Sequence, residues 1–471
     1  MEPRANPGAE RPSFFGIVRN RMGPEELRAA IAEGMSATRA DLERLVRIPS
    51  IAFPDYDPAP VRASAEATAE ILGAAGLGGV RLIELPDVDH PAVFGEVAGP
   101  VGSPTVLLYA HHDVQPEGPA EEWDSPPFEP VVRDGRLFGR GTADDKCGIA
   151  SHAAAIRAFG GRPPVTVKVI VEGEEESSAE HLPFLIEGHR DLLAADAVVV
   201  ADGGNYRNGI PSLNVTLRGV VDCRVTVRVL DLAVHSGSFG GPIPDALTSL
   251  VRLLATLHDE RGNVAIGGLL TKAWTGFEQP EDELREEART RPGVQMIGEG
   301  SLSERLWTKP AVSVLGIDAP RVREASNQLV PVATAKVSLR LAPGDDPYRA
   351  MDALVGHLES HAPWGVEVSV ERGTGGKGFE VRTGGPAYGA ARSAMEEAYG
   401  REVVEIGSGG SIPLVDVLAR TFPDAEILIV GASDERSQYH SVNESVDLAE
   451  LERASLAEAL FLARLGLPYR S

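Results

Sequence analysis

Two adjacent histidines, in the stretch LLYAHHDVQP at residues 107–116, raise the question of a metal site. The apolar run before them is typical of a buried strand. Side chains alternate between the two faces of a strand, so His111 and Asp113 lie on one side and His112 on the other. An imidazole beside a carboxylate that orients it is a common arrangement in metal sites. His111 is therefore a candidate ligand, and His112 is expected to face solvent or a helix surface.

More carboxylates and another histidine are expected at strand ends. They are Asp144 and Asp145 in GRGTADDK, Glu175 and Glu176 in EGEEES, Asp202 in DAVVVADGG, and His440 in RSQYH. Carboxylates crowded into one crevice would repel one another unless cations lie among them. One ion needs about four ligands, and five ligands with a shared carboxylate suit two ions roughly 3.5–4 Å apart. A remaining carboxylate would be the general base that takes a proton from metal-bound water, and spacing leaves open which glutamate of EGEEES that is.

Four apolar runs predict the strands that position these residues. TVLLYAHHD, VTVKVIVEGEEE, DAVVVADGG and AEILIVGASDERSQYH are continuous and end in carboxylates or histidine. Such runs are typical of strands buried on both faces of a parallel sheet. Helical spacing at 145–159 and 179–193 completes a β-α-β-α-β pattern, which predicts an α/β domain with a mostly parallel sheet. Because ligands bind beyond the carboxyl ends of such strands, all four endings should meet in one crevice.

A different pattern occupies residues 215–380. VVDCRVTVRV, ATAKVSLRL and VEVSVE alternate apolar and polar residues, which indicates half-exposed antiparallel strands. Because EILIVG resumes the buried type later in the chain, we interpret the antiparallel unit as an inserted α+β domain. The expected organisation is a loose tail at 1–23, a catalytic domain formed by 24–214 and 381–471, and the insertion at 215–380.

Composition excludes several functional classes. Forty-five Lys and Arg against 69 Asp and Glu give a formal net charge of −24, which opposes binding to nucleic acid or to anionic membranes. The two cysteines, Cys147 and Cys223, cannot form a disulfide framework, so a reducing cytoplasm is the expected compartment. The N-terminal residues have no signal-peptide pattern, and no stretch reaches membrane-spanning length.

Six motifs together resemble those of metallopeptidase family twenty. In chain order they are HHDVQP, WDSPPFEPVVRDGRLFGRGTADDK, EGEEES, HSGSFGG, GGSIP and HSVNE. The family includes cytosolic dipeptidases, carboxypeptidase G, aminoacylases and desuccinylases, and the resemblance covers about 30–465. DVQP, GGSIP and the long insertion favour the branch of the carnosine dipeptidases. The resemblance implies a catalytic domain with two zinc ions and an inserted lid domain through which two chains form a homodimer.

The resemblance also implies a role for each candidate ligand. His111 and Asp202 would bind one divalent ion. Glu176 and His440 would bind the second, and Asp144 would bridge the two. Zinc is the expected metal, although Mn²⁺ and Co²⁺ also suit mixed histidine and carboxylate ligands.

Other residues would act around the ions. Glu175 would be the general base, Asp113 would orient His111, and the Asp144–Asp145 peptide would be cis. His235 on the lid would reach into the partner's site and stabilise the oxyanion of the tetrahedral intermediate. The residues that would hold substrate are Arg340 and, by a looser alignment, Asn327 on the lid, with Gly410 and Ser411 in GGSIP.

The chain departs from the family at a few positions near the expected site. Cys147 stands where glycine is usual, and it is either a reactive thiol or, more often in such positions, a small buried helix residue. Tyr439 stands where alanine is frequent, and it would narrow the pocket.

Three functions remain open at this stage. The first is a metal-dependent hydrolase that cleaves the peptide bond of dipeptides or similar short peptides. The second is an N-acyl amino acid deacylase or desuccinylase of the same fold, with the same metal chemistry. The third is a non-catalytic binding protein, and the intact Glu175 and complete ligand set argue against it.

Overall fold

The computed structural model describes residues 22–177, 180–410 and 412–467, so residues 1–21 of the expected tail lie outside the described part. The helices are α1 (Pro24–Val46), α2 (Ala59–Ala75), α3 (Lys146–Ala158), α4 (Leu182–Gly188), α5 (Arg190–Leu193), α6 (Ser236–Phe239), α7 (Ala246–Ala255), α8 (Glu281–Glu287), α9 (Pro347–Ser360), α10 (Pro386–Tyr399), α11 (Pro413–Thr421) and α12 (Leu448–Leu465). The strands are β1 (Gly78–Ile83), β2 (Ala92–Val97), β3 (Thr105–His111), β4 (Val131–Arg133), β5 (Arg136–Phe138), β6 (Thr166–Glu172), β7 (Ala197–Val200), β8 (Ser212–Leu217), β9 (Gly219–Arg228), β10 (Val234–His235), β11 (Ala311–Asp318), β12 (Gln328–Leu329), β13 (Val332–Leu341), β14 (Glu367–Gly376), β15 (Phe379–Glu380), β16 (Val404–Ser408), β17 (Glu426–Ile429) and β18 (Ser445–Asp447).

A six-stranded sheet with the order β1-β2-β6-β3-β7-β17 forms the centre of the catalytic unit. The four runs that predicted buried strands are β3, β6, β7 and β17, and these neighbours are all parallel. β1 and β2 extend the sheet antiparallel at one side. The prediction of a mostly parallel sheet is therefore right, because continuous apolar runs are buried by helices on both faces.

The helices of the catalytic unit follow the predicted pattern with one difference. α3 lies where the sequence predicted 145–159, and it is buried along nearly its whole length. The second predicted helix, at 179–193, is interrupted at His189 and forms the short α4 and α5. Residue 179 itself lies outside the described part. α1 and α12 pack against α3, and α10 packs against α12.

The inserted unit contains a four-stranded antiparallel sheet with the order β11-β13-β9-β14. The alternation in β9 has the expected consequence, since Val221, Cys223, Val225 and Val227 are buried and the residues between them are not. α7 and α9 cover the buried face with leucines such as Leu250 and Leu354. A small antiparallel ribbon of β10 and β12 belongs to the same unit.

The chain crosses between the two units at 218–219 and again at 377–378. β8 pairs with β16 and β15 on the catalytic side, and β9 follows it after a single residue. Residues 262–310 of the insertion contain α8 and a π-helical turn at Glu304–Thr308 beside β16. Among the described residues, no helix has the length and apolar character needed to cross a membrane.

Candidate metal centre

The polar strand endings meet in a cleft of about 1380 Å³. Asp202 lines it directly after β7, and His440 lines it from the loop after β17. Asp144 also lines it, but from the turn before α3 and not, as expected, from the end of a strand. β3 ends at His111, and β6 ends three residues before Glu175. The convergence predicted from the carboxyl ends of parallel strands is therefore present.

Two groups of side chains bring potential metal ligands together. The first consists of His111, Asp144 and Asp202, and the second of Asp144, Glu176 and His440. Within each group the ligand atoms all lie within 4.8 Å of one another. Asp144 belongs to both groups, because its Oδ1 lies 2.9 Å from His111 Nε2 and its Oδ2 lies 3.0 Å from His440 Nε2. Imidazole nitrogens and carboxylate oxygens at this spacing fit two divalent ions of the zinc type.

Asp113 holds the first histidine and the glutamate loop in one network. The His111 Nδ1 atom lies 3.2 Å from the Asp113 carbonyl oxygen and 3.4 Å from its Oδ1. The same carboxylate accepts hydrogen bonds from the backbone N–H groups of Glu175 (3.2 Å) and Glu176 (3.0 Å). Both His111 and Asp113 are fully buried. The position of the His111 ring is therefore set by atoms outside the ligand groups.

The electrostatics of the cluster also favour cations. Burial, followed by repulsion from Glu176 and Asp144, raises the pKa of Glu175 to about 8. Burial likewise raises the pKa of Asp202 well above its usual range, and the charges of Asp144 and Glu175 add to the effect. Hydrogen bonds to Asp144 and Glu176 raise the pKa of His440 to about 10. A divalent ion relieves this repulsion by supplying positive charge among the carboxylates.

Glu175 differs from the neighbouring Glu176 in its contacts. Glu176 belongs to the second ligand group and accepts a hydrogen bond from Gln115 at 2.8 Å. Glu175 belongs to neither group, and a carboxylate beside the ligands is placed to exchange protons with water. EGEEES thus contains one glutamate placed as a ligand and one placed beside the ligands.

His112 corrects an expectation from the sequence. It was expected to face solvent or a helix surface, and it is fully buried. His112 does point away from the ligand groups, and its Nε2 bonds the carbonyl of Pro91 at 2.9 Å. Burial lowers the pKa of His112 to about 4. Alternation correctly predicted the face of the strand, but it could not reveal that other parts of the chain cover that face.

Cys147 and Asp145 lie beside the ligands without joining either group. The Cys147 thiol donates to the carbonyl of Ala143 at 3.4 Å, and burial raises its pKa well above the usual range. A thiol that stays protonated is a poor nucleophile, so the buried-residue interpretation is the better one. The Asp144–Asp145 peptide is cis, as the resemblance implied.

Glu444, in the motif HSVNE, was not singled out by sequence reasoning. It is fully buried, and its carboxylate accepts hydrogen bonds from the backbone N–H groups of Gly141 (3.0 Å), Ala143 (2.9 Å) and Asp144 (3.1 Å). Arg140 donates to it at 2.7 Å. Glu444 therefore fixes the loop that presents the shared aspartate. Its signal in the sequence was an acidic residue in an otherwise neutral motif, four positions after a candidate ligand.

The expected substrate-binding residues fall into two places. Arg340 and Gly410 line the cleft, and so does Tyr439. His235 and Asn327 lie on the β10–β12 ribbon of the lid, are exposed, and do not line the cleft. Ser411 lies outside the described residues. The single chain thus brings together one part of the expected set and leaves the other part on the lid surface.

Comparison with known proteins identifies the class. The sequence pattern of peptidase family M20/M25/M40 matches residues 107–464 of this chain. A cysteinylglycine-S-conjugate dipeptidase from Corynebacterium striatum is 36% identical over 396 residues, which cover 82% of this chain and 87% of that protein. The chain therefore belongs to peptidase family M20/M25/M40, and it is a metallopeptidase.

Two solved structures have the same fold. The di-peptidase Dug1p from Saccharomyces cerevisiae aligns with a TM-score of 0.80 at 22% identity, covering 94% of this chain and 98% of that one. Human carnosine dipeptidase 1 aligns with a TM-score of 0.79 at 23% identity, covering 94% and 99%. At these identities the likeness concerns the fold, a catalytic unit with an inserted lid.

Proposed function

We propose that this chain is a dipeptidase that works with two divalent ions, most simply zinc. The observation that carries the proposal is the aspartate shared by two ligand groups, Asp144, with the half-buried Glu175 beside them. His111 and Asp202 would hold one ion, and Glu176 and His440 the other. When bound, the ions supply Lewis-acid polarisation of the scissile carbonyl and lower the pKa of water.

The residues of the chain then perform the proton transfers. Glu175 would accept a proton from the attacking water and deliver it to the leaving amine. Asp113 keeps the His111 ring in orientation through its contacts with Nδ1. Arg340, Gly410 and Ser411 would bind the substrate together with Asn327.

His235 would stabilise the oxyanion in the site of a second chain. Its Nδ1 accepts a hydrogen bond from the Gly237 N–H at 3.0 Å, so the neutral ring carries its proton on Nε2. The ring is exposed, and Nε2–H is therefore available as a donor. A C₂ homodimer through the lid is supported by β11, an edge strand whose Val314, Leu315 and Ile317 are exposed.

A short peptide is the substrate that similarity favours. The relative from Corynebacterium striatum and the two solved structures are named as dipeptidases. A deacylase or desuccinylase of N-acyl amino acids would use the same metal chemistry and is the second candidate. Two buried cysteines without a disulfide fit the expected cytoplasmic location.

A substrate panel tests the proposal. We expect hydrolysis of dipeptides to exceed that of N-acetyl and N-succinyl amino acids, measured as kcat/KM on the protein as isolated with its metals. Preference for the acylated substrates would overturn the dipeptidase in favour of the deacylase. Absence of hydrolysis of all three kinds of substrate, with metal content verified by elemental analysis, would overturn both candidates.

A further inference from the structure

The loop after β7 and the loop after β17 run side by side beyond the ends of their strands. Gly204 forms a parallel bridge with Ser433, and the backbone N–H of Asn205 donates to the Ser433 carbonyl at 2.8 Å. The first loop carries Asp202 directly after β7, and the second continues to His440. Backbone contacts therefore join the two loops that carry these candidate ligands.

The Asn205 side chain anchors the joined loops to the elements behind them. Its Nδ2 group donates to Glu450 Oε2 at 2.8 Å and to Tyr399 Oη at 2.9 Å. Its Oδ1 atom accepts a hydrogen bond from the backbone N–H of Ser212 at 2.9 Å. Glu450 lies in the first turn of α12, Tyr399 is the last residue of α10, and Ser212 begins β8. One buried amide, only 7% exposed, thus connects the loop of Asp202 to three separate elements.

The contact between Asn205 and Glu450 has a fixed polarity. Glu450 is fully buried, and its carboxylate also accepts hydrogen bonds from the Gly209 N–H and from Arg453 Nη2, the latter at 2.6 Å. A buried carboxylate is costly unless donors surround it, and an ionised carboxylate can only accept. Asn205 must therefore present its amide nitrogen to Glu450, and an aspartate at 205 would bring two carboxylates together.

We propose that Asn205 is a positioning residue that fixes Asp202 for the ion of the first ligand group. The inference rests on the two-ion site proposed above. Asp202 lies three residues before Asn205, and the two residues between them are glycines, which have no side chains to anchor the loop. The first side chain after Asp202 that can hold the loop in place is that of Asn205. Partners that orient a ligand in this way typically change metal affinity by about 10- to 100-fold.

The test exchanges the polarity of the contact with Glu450. In Asn205→Asp, a competitive chelator titration of the holoenzyme should show one ion bound about 10- to 100-fold more weakly. Glu450→Gln should weaken the same ion, because its amide nitrogen meets another donor in either orientation. The double variant Asn205→Asp with Glu450→Gln restores a donor opposite an acceptor, and it should recover most of the affinity. Wild-type affinity in both single variants, or no recovery in the double variant, would overturn the proposal.

Two controls separate positioning from a general loss of stability. Asn208 lies on the same loop, is exposed, and donates through Nδ2 to Asp434 at 3.1 Å, so Asn208→Ala should bind both ions like the wild type. In the background of Asp202→Ala the ligand is already absent, and Asn205→Asp should cause no further loss of affinity. A further loss as large as in the wild-type background would mean that Asn205 does not act through Asp202. If Asn205→Asp does not fold, Asn205→Ser allows the same comparison, because it removes the amide donor without adding a charge.

The metal content of the wild type separates this inference from the function on which it rests. Elemental analysis of the wild-type holoenzyme gives the number of ions per chain, and the chelator titration gives their affinities. Two ions whose affinities are unchanged in the Asn205 variants would overturn the positioning role alone. A single ion whose affinity still depends on both Asn205 and Asp202 would overturn the two-ion function and support the positioning role.

Discussion

The metal centre and the lid ribbon that carries His235 are built in opposite ways. At the metal centre, His111 and Asp113 are fully buried and bonded to one another. On the ribbon, His235 and Asn327 are exposed, and each of its two strands is two residues long. Buried and mutually bonded side chains keep their geometry unaided, whereas an exposed ribbon gains a defined environment when another surface packs against it. Under the proposed function, the proton-transfer half of the site would be complete in one chain, whereas the oxyanion half would need a second chain.

The largest expected effect follows from removing the ions. Chelation should abolish hydrolysis, and His111→Ala should lose at least one ion as measured by elemental analysis. His112→Ala is the matched control one position along the strand, and it should keep both ions although the lost ring destabilises the fold. If His112→Ala lost metal while His111→Ala retained it, the assignment of the two faces of β3 would be wrong.

Variants of Glu175 and Glu176 test which of the two is the general base and which is a metal ligand. Glu175→Gln should reduce kcat by about 10²–10⁴-fold, the usual contribution of a positioned base, with metal content near normal. Glu176→Gln should instead weaken metal binding, because this carboxylate belongs to a ligand group. Steady-state kinetics together with metal titration would reveal an exchange of the two roles.

Variants of His235 test whether the oxyanion donor must come from a second chain. His235→Ala should keep its metals and lose about 10²–10³-fold in kcat, the usual contribution of an oxyanion donor. Heterodimers of inactive His235→Ala and inactive Glu175→Gln chains should regain one working site, since each chain supplies what the other lacks. Purified heterodimers without recovered activity would mean that His235 acts within its own chain or has no catalytic role.

Substitution of Glu444 should have the smallest effect, and it tests how the metal ligands are positioned. Glu444→Gln should weaken metal affinity by about 10- to 100-fold, because the loop of Asp144 loses a carboxylate that accepts three backbone hydrogen bonds. Asp434→Asn is the control, since it disrupts another buried arginine pair that does not bond this loop. Equal metal affinities in competitive chelator titrations of both variants would remove Glu444 from the positioning network.

The sequence allowed much of the catalytic sheet to be predicted because its signal is local. Continuous apolar runs predicted β3, β6, β7 and β17, and alternation predicted β9 and β13. The interruption at His189 was missed, since helical spacing across 182–193 does not reveal a break between two short helices. The burial of His112 was missed for a related reason: it depends on distant segments, including Pro91 and Gly173, that pack against the ring.

The residues of the candidate site also fall into two classes, those with a local signal in the sequence and those that depend on distant segments. Strand endings and motifs selected the histidines and carboxylates that the structure brings together, and their proposed roles remain to be tested by the variants above. Glu444 was not selected, because a buried carboxylate that accepts backbone N–H groups has no periodic signature.

The sequence by itself determined which residues alternate, which are continuously apolar, and which polar residues end each strand, because strand periodicity requires only near neighbours in the chain. The tertiary structure alone decided that Asp144 is shared between two histidines almost 330 positions apart, 111 and 440, and that Glu444 accepts hydrogen bonds from the loop that carries Asp144. Those relations depend on how distant strands and loops are placed in space. Long-range pairing of this kind leaves no pattern in a local window of residues.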